Sequence, residues 1–516
     1  MINHKSLNPA QRRDHPKMFS IRFRKSRVRA LRGSILLSLL SSLIPTFAPE
    51  PASCTQSPAG RVSFITYDEA RPILEALREA LPAELRPTTP QEAASAWANW
   101  VVHHDAEIRG RLAQGEEDSL INLLLFGTSF TGHPRITLDV LTKLVGRPWQ
   151  NVPSSSSEVA LFVRAIDARA DDLVRAIATP GTNERLMFAR HLIGSKGYDA
   201  KNSKDRERIK RYLLSGLARV LKEQARYASI LESARLLGDP SAEFAERSKL
   251  FSARGLSTDA SLFPNLAIER ALESLKVQSQ LSGNSVRRVA VIGPGLDFAD
   301  KQDGYDFYPQ QTIQPFAIID TLLRLGLARA NDLKVTTLDL SPRVNDHLER
   351  TRQRAVRGAG YVVQLPRNLE SSWKPETIGY WQGFGDRIGS PVAPIQPPAG
   401  AGKLNVRAVR IRPSIVSLVT PEAVNIVLQR LDLPAGEQLD LIIATNTLVY
   451  YDVFEQSLAL ANIERMLRPG GFLLSNNALL ELPSSEMRSV GYQTVVYSDR
   501  PDDGDHIVWY QRARMR

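Results

Sequence analysis

Two hydrophobic rhythms divide this chain. From about Tyr67 to Gln280 apolar residues return every three or four positions, whereas beyond Arg288 short branched runs alternate with such stretches. The first rhythm belongs to amphipathic helices, and the short runs to strands buried on both faces. In the first half, Asp68 to Leu81 places Ile73, Leu74, Leu77 and Leu81 on one face, with Asp68 as the expected N-cap. Helices are also predicted over Ala93–Leu112, which carries Trp97, Trp100, Val101 and Ile108, and over Ser119–Phe126. After the loop Ser154–Ser157 comes Val159–Ile177, and then Arg206–Leu237 with a stripe of Ile209, Leu213, Leu217, Val220, Leu221, Tyr227 and Leu231. Glu207, Glu223 and Glu232 interleave with the basic residues of that last helix, which reads as a solvated face. A mainly helical domain over residues 61–264 follows, and its residues announce no chemistry.

Asn265–Val277 is one more helix, just ahead of the run Val289–Ile292, which Gly293-Pro294-Gly295 ends. The second half then continues with a helix Ile313–Leu327, a strand Lys334–Asp339, and a helix opened by Ser341-Pro342 and running toward Ala355. Tyr361–Leu365 is expected as the third strand of the sheet. An irregular insertion holds Trp373, Trp381, Pro394, Pro397 and Pro398; Val406–Ile411 fits a strand and Glu422–Leu431 a helix. Leu439–Asn446 is the fourth core strand, Phe454–Leu467 a helix, Arg468–Gly471 a turn and Phe472–Ser475 the fifth strand. Gly491–Tyr497 and His506–Gln511 form a closing hairpin around Asp499–Gly504. Alternating units of this kind predict an α/β fold: a Rossmann-like, mostly parallel sheet with a C-terminal antiparallel hairpin over residues 265–516.

Composition changes the picture mainly at the N-terminus. Residues 1–49 hold ten Lys or Arg against Asp14 alone, so nine of the eleven net positive charges sit there and no nucleic-acid partner is inferred. The uncharged stretch Ser34–Ala48 is shorter than the roughly 20 apolar residues of a membrane span. Basic flank, short apolar core and small residues fit a secretory signal, with Ala52-Ser53 before Cys54 inviting lipidation, although Pro51 stands where leucine is usual there. Residues 1–60 thus read as leader and linker: exported or membrane-attached if the leader is a signal, cytoplasmic otherwise. One cysteine excludes an intramolecular disulfide, and no histidine pair has metalloprotease spacing, so no metal is expected.

In a parallel sheet, ligands bind at the carboxyl ends of the strands near the point where strand order reverses. Gly293 and Gly295 there permit a close backbone approach, Asp339 ends the second strand where a carboxylate can hold a ribose, and Asn446 ends the fourth. Singly, each could be a cap or turn residue; Asp339 precedes a helix start.

Together, the segments Val-Ile-Gly-Pro-Gly295, Leu-Asp339, Leu439–Asp452 and Met466–Leu474 resemble the class I S-adenosylmethionine-dependent methyltransferases. The Leu439–Asp452 segment is similar to that of the chemotaxis-receptor methyltransferases. The resemblance covers about Leu266 to Arg516. It implies S-adenosylmethionine as cofactor, with Gly293 and Gly295 against its methionine moiety and Asp339 on its ribose. Asn446 and Thr447 would face the methionine or substrate side, and Tyr450 would cover it. The sequence departs from the pattern at Val291, where an acid is frequent, and at Asp297, where a third glycine is common; Asp297 or Asp300 could take over a carboxylate's duty. Tyr305, Asp306, Tyr308 and Gln311 are expected near the cleft. Asp306, Tyr308 and Tyr450 are the candidate bases, should a small-molecule or protein acceptor need one. Two alternatives stand beside this reading: a nicotinamide-dependent oxidoreductase, and a non-catalytic exported protein with a relic sheet.

Overall fold

A computed structural model of the chain describes residues 62–86, 89–137, 157–237, 254–298, 305–500 and 503–514. The leader, Cys54, the loop before Ser157 and Asp300 lie outside these residues. Among the described residues no helix is long and apolar enough to cross a membrane.

A short strand β1 (Val62–Phe64) leads into α1 (Tyr67–Ala76). Thr66, not Asp68, caps α1: its hydroxyl accepts the Glu69 N–H while the Glu69 carboxylate reaches back, a reciprocal capping box. The helices expected over Ala93–Leu112 and Ser119–Phe126 are one 37-residue helix, α2 (Pro90–Phe126), capped by Thr89 and Glu92. Gly115 does not break it but lets another segment cross it. A Cβ there would lie 1.8 Å from the Leu256 carbonyl oxygen, and the Leu256 N–H donates to the Arg111 carbonyl at 2.9 Å. Three further helices follow: α3 (Ser157–Ala178), α4 (Glu184–Ser195) and α5 (Ser203–Leu237). They pack Leu173, Ile177, Ile193, Ile209 and Leu213 against Leu120 and Leu124 of α2. Arg169 is buried among them, donating to the carbonyls of Leu124, Gly127, His133 and Pro134 at 2.6–3.0 Å. Burial pulls its pKa down to about 10.

The main sheet has seven strands: β2 (Arg288–Ile292), β3 (Lys334–Asp339), β7 (Val419–Ala423), β9 (Leu439–Ala444), β10 (Leu467–Ser475), β11 (Met487–Val496) and β12 (Gly504–Arg512). Their order is β11-β12-β10-β9-β2-β3-β7, with β10, β9, β2, β3 and β7 parallel and β12 antiparallel to both of its neighbours, β10 and β11. Both faces are covered, as the unbroken apolar runs require. Val289 and Val291 enter one core with α6 (Phe263–Val277) and α7 (Gln314–Arg324). Ala290 and Ile292 enter another with Ile73, Trp97, Trp100 and the helix α8 (Val453–Met466). Residues up to Leu112 therefore pack on the sheet, while the rest of α2 builds the separate helical core.

Three expectations about the sheet are corrected. The strand at Tyr361 is real (β4, Tyr361–Asn368) but leaves the main sheet; it pairs with β6 (Leu404–Ile411), which also pairs with β5 (Gly389–Val392), in a small antiparallel sheet. The place beside β3 belongs to β7, whose Pro421 is tolerable because the strand is at an edge. Residues 422–431 form no helix. They supply the end of β7 and β8 (Gln429–Leu431), which pairs with β1, and the buried Val424, Ile426, Val427 and Leu428 lie between. Finally, Arg468–Gly471 is not a turn between elements. It is a register shift within β10, where Gly470 takes φ +77°.

Candidate functional site

The strand order reverses between β2 and β9, and at their carboxyl ends opens a cleft of about 730 Å³. Gly293 and Gly295 line it, both at φ +64°, a left-handed conformation that glycine adopts without penalty. A Cβ on Gly293 would come within 2.5 Å of the Thr447 hydroxyl, and one on Gly295 within 2.7 Å of the Thr258 carbonyl. The bend is thus clasped from both sides. Thr447 donates to the Ile292 carbonyl at 3.2 Å. The segment Ser257–Ser261 runs alongside Leu296, exchanging the bonds Leu296 N–H to Thr258 (2.8 Å) and Ala260 N–H to Leu296 (3.0 Å). Gly255 and Leu256, just before that segment, cross α2 at Gly115, and the segment lines the cleft together with Leu112.

Asp339 lines the same cleft from the end of β3. One carboxylate oxygen accepts the Ser341 N–H at 2.8 Å. Burial pushes its pKa up to about 6, outweighing the N–H groups of Ser341 and Gly295 and the charge of Arg343, which pull it down. Arg343 lies outside the lining, its guanidinium on the rings of Phe188 (4.4 Å) and Phe298 (5.2 Å) and bonded to the Thr258 hydroxyl at 2.6 Å. Ser341 begins the next helix, but its side chain makes no capping bond.

Asn446 lies past the end of β9 at φ +57°, a conformation asparagine visits more readily than other side-chain-bearing residues. Its N–H donates to the Asn476 side-chain oxygen at 2.9 Å, and its own side-chain oxygen accepts from Asn476. Tyr450 lines the cleft as well. Its backbone is tied to the helical segment, because Arg111 of α2 donates to the Tyr450 carbonyl.

The cleft thus brings together Gly293, Gly295, Asp339, Asn446, Thr447 and Tyr450. It does not bring in Asp297, Asp306 or Tyr308, nor Tyr305 and Gln311. The Asp306 carboxylate accepts the Thr128 hydroxyl (2.7 Å), the Ser129 hydroxyl (2.6 Å) and the N–H groups of both residues. Asp297 accepts the Tyr308 hydroxyl at 2.7 Å and the Gln311 amide at 3.0 Å. Arg185 of α4 donates to the carbonyls of Asp297, Phe298, Asp306 and Tyr308. These polar groups fasten the excursion after the glycine bend to the helices, which is why they are buried away from the ligand space.

Several lining residues were not anticipated from the sequence: the segment Ser257–Ser261, Gln314, whose amide donates to Thr445 at 2.8 Å, and Asn476, Asn477, Asp505 and His506 at the hairpin end. The run Ser-Asn-Asn after the fifth strand was the available clue to two of them. Three carboxylates, Asp259, Asp339 and Asp505, line the cleft, and among its described lining residues there is no Lys or Arg.

No protein-family model matches the chain. No curated protein sequence matches it either. Solved structures do resemble it, faintly. The N-methyltransferase NodS from Bradyrhizobium japonicum WM9 is 15% identical over 48% of this chain and 95% of its own, with a TM-score of 0.24. A TehB-like SAM-dependent methyltransferase from Corynebacterium glutamicum is 10% identical over 53% and 97%, at 0.20. MtNAS, solved in complex with MTA and tNA, is 11% identical over 73% and 96%, at 0.21. Scores this low transfer no residue role to the chain.

Proposed function

We propose that the chain is an S-adenosylmethionine-dependent methyltransferase. One observation carries this reading: a glycine bend, a ribose-competent acid and a strand-end asparagine line a single cleft whose charged lining residues are all acidic. The donor set fits the cofactor. Gly293 and Gly295 leave bare backbone where a Cβ would intrude, Asp339 has about four lone-pair sites against the backbone N–H groups of Ser341, Gly295 and Leu340 and so retains capacity for a ribose hydroxyl, and acidic walls suit a cation. Bound there, S-adenosylmethionine would supply a methyl carbon whose bond to positive sulfur breaks, the electron pair staying on sulfur, as an acceptor's lone pair forms the new bond. The chain's own part is to hold and enclose. The Ser257–Ser261 segment and Leu112 exclude water, and Asn446 and Thr447, locked by Asn476 and the Ile292 carbonyl, fix the floor. Positioning of this kind accounts for several kcal/mol of a barrier.

The nicotinamide alternative fares worse on two counts. A dinucleotide pyrophosphate rests on a helix that starts directly after the glycine turn, and here α7 begins only at Gln314. An acidic lining would also repel it. Thermal shift of the full chain with S-adenosylmethionine, S-adenosylhomocysteine and NAD tests the choice. A ligand at 100 times its Kd stabilises by about 2.7 kcal/mol, so the two sulfur ligands should raise Tm by a few degrees and NAD should not. A shift with NAD alone reverses the assignment.

A further inference from the structure

The end of the cleft farthest along the sheet from Asp339 is built differently from the cofactor end. There β10 runs out into Asn476 and Asn477, and β12 begins with Gly504, Asp505 and His506. The Asp505 carboxylate accepts the Tyr497 hydroxyl at 2.7 Å and a side-chain bond from Asn476, which in turn holds Asn446. A carboxylate offers about four lone-pair sites, so Asp505 retains acceptor capacity toward the cleft. Asn477 is 8% exposed, and its side-chain oxygen is buried without a hydrogen-bond partner. A buried acceptor left unmade costs about 1–3 kcal/mol, so one on a residue that lines the ligand space calls for a donor in the ligand.

We propose that Asn476, Asn477 and Asp505 form the acceptor subsite, and that the methyl acceptor is a primary or secondary amine that arrives as its ammonium. This rests on the methyltransferase reading and narrows it. An ammonium is all donors and no acceptors, the complement of a wall that offers a carboxylate and an unpaired amide oxygen. A carboxylate acceptor would meet Asp505 with like charge and no lining Lys or Arg to offset it. Asp505 has a second part. An ammonium has no lone pair; when it passes one proton to the Asp505 carboxylate, a neutral amine and a neutral acid result, and the nitrogen becomes a nucleophile. Burial, opposed by the bonds from Tyr497 and Asn476 and assisted by the charge of Asp503, raises the pKa of Asp505, which favours that transfer.

Three five-carbon probes isolate the end group: cadaverine, glutarate and 1,5-pentanediol, titrated calorimetrically into the full chain saturated with S-adenosylhomocysteine. Cadaverine should bind at least tenfold more tightly than the other two. Asp505→Asn and Asn477→Leu should each weaken cadaverine at least fivefold while S-adenosylhomocysteine still binds. The second variant removes no bond the fold uses, so it stays informative if Asp505→Asn misfolds. Cadaverine binding no better than glutarate or the diol, or not at all, or binding untouched in Asn477→Leu, overturns the amine subsite. Failure of S-adenosylhomocysteine itself to bind brings down the methyltransferase reading and this inference with it.

Discussion

Replacing Asp339 with asparagine should move cofactor affinity and apo stability in opposite directions. The amide keeps an oxygen for the Ser341 N–H, now 2.8 Å from the carboxylate, and nearly the same volume, so the change is chiefly one of charge. A hydrogen bond to a charged acceptor contributes about 1.5–3 kcal/mol. At about 1.4 kcal/mol per factor of ten, weakening one or two ribose bonds predicts S-adenosylmethionine binding at least tenfold poorer at pH 8. Stability changes the other way. Burial raises the carboxyl from 3.8 to about 6, so the folded chain holds this proton more tightly than the unfolded one. Its contribution is full below about pH 4 and is lost as pH rises through 6. At pH 8 the ionised group costs on the order of 3 kcal/mol, which the neutral amide avoids. Asp339→Asn should therefore melt higher than wild type at pH 8, and the margin should close toward pH 4. Wild-type affinity should also fall as pH drops below about 6, and the variant's should not. Calorimetric titration and scanning calorimetry measure both. Unchanged affinity, or a lower Tm at pH 8, refutes the reasoning.

Gly293→Ala should cost about 1–2 kcal/mol for a side chain at φ +64°. Its new methyl must also push Thr447, 2.5 Å away, so S-adenosylmethionine affinity should fall at least tenfold in the same titration. Gly326→Ala is the control: it carries the same backbone penalty at φ +65° with nothing within 4 Å, and should bind normally. Equal binding by the two variants removes the glycine bend from the site. His104, stacked on Trp100 at 4.4 Å, bonds Glu455 at 2.8 Å and Glu107 at 2.9 Å. Burial opposes its protonation, but the two carboxylates prevail and raise its pKa. Its contribution is present below about 6.5 and fades as pH rises through the raised value. The stability gap between wild type and His104→Gln, from urea unfolding, should shrink by about 1 kcal/mol between pH 5.5 and pH 8.5; a constant gap argues against the ion pair.

How much of this was legible depended on whether a residue's neighbours set its environment locally. Val289–Ile292 and Leu441–Ala444 read as strands because both their faces are buried, which makes the run apolar without alternation, and glycine or polar residues stop each run short of helical length. The helices expected over Ala93–Leu112 and Ser119–Phe126 are the single α2, and the purpose of Gly115 between them, a crossing by the distant Leu256, leaves no local mark. β7, Val-Thr-Pro-Glu-Ala, has neither alternation nor an apolar run, and only its pairing with β3 makes it a strand. Asp306 and Tyr308 lie outside the cleft for the converse reason: acids and tyrosines after a glycine bend look catalytic, yet here the Asp306 carboxylate answers donors at Thr128 and Ser129 and the Tyr308 hydroxyl donates to Asp297.

The same distinction explains why the two ends of the cleft differ in visibility. Gly293, Asp339 and Asn446 each follow a parallel strand, so each is found by reading an apolar run to its polar end. Asp505 comes before its strand, and in sequence it is part of a hairpin turn. β12 runs antiparallel to β10, however, with Ser475 opposite Val508. Continuing that register beyond the strand brings Asn477 level with His506 and next to Asp505. An antiparallel strand thus delivers its first residues, not its last, to the carboxyl edge of a parallel sheet. The polar start of the final strand is where a second substrate should be sought, because among the described strands of the main sheet it is the beginning that shares an edge with Gly293, Asp339 and Asn446.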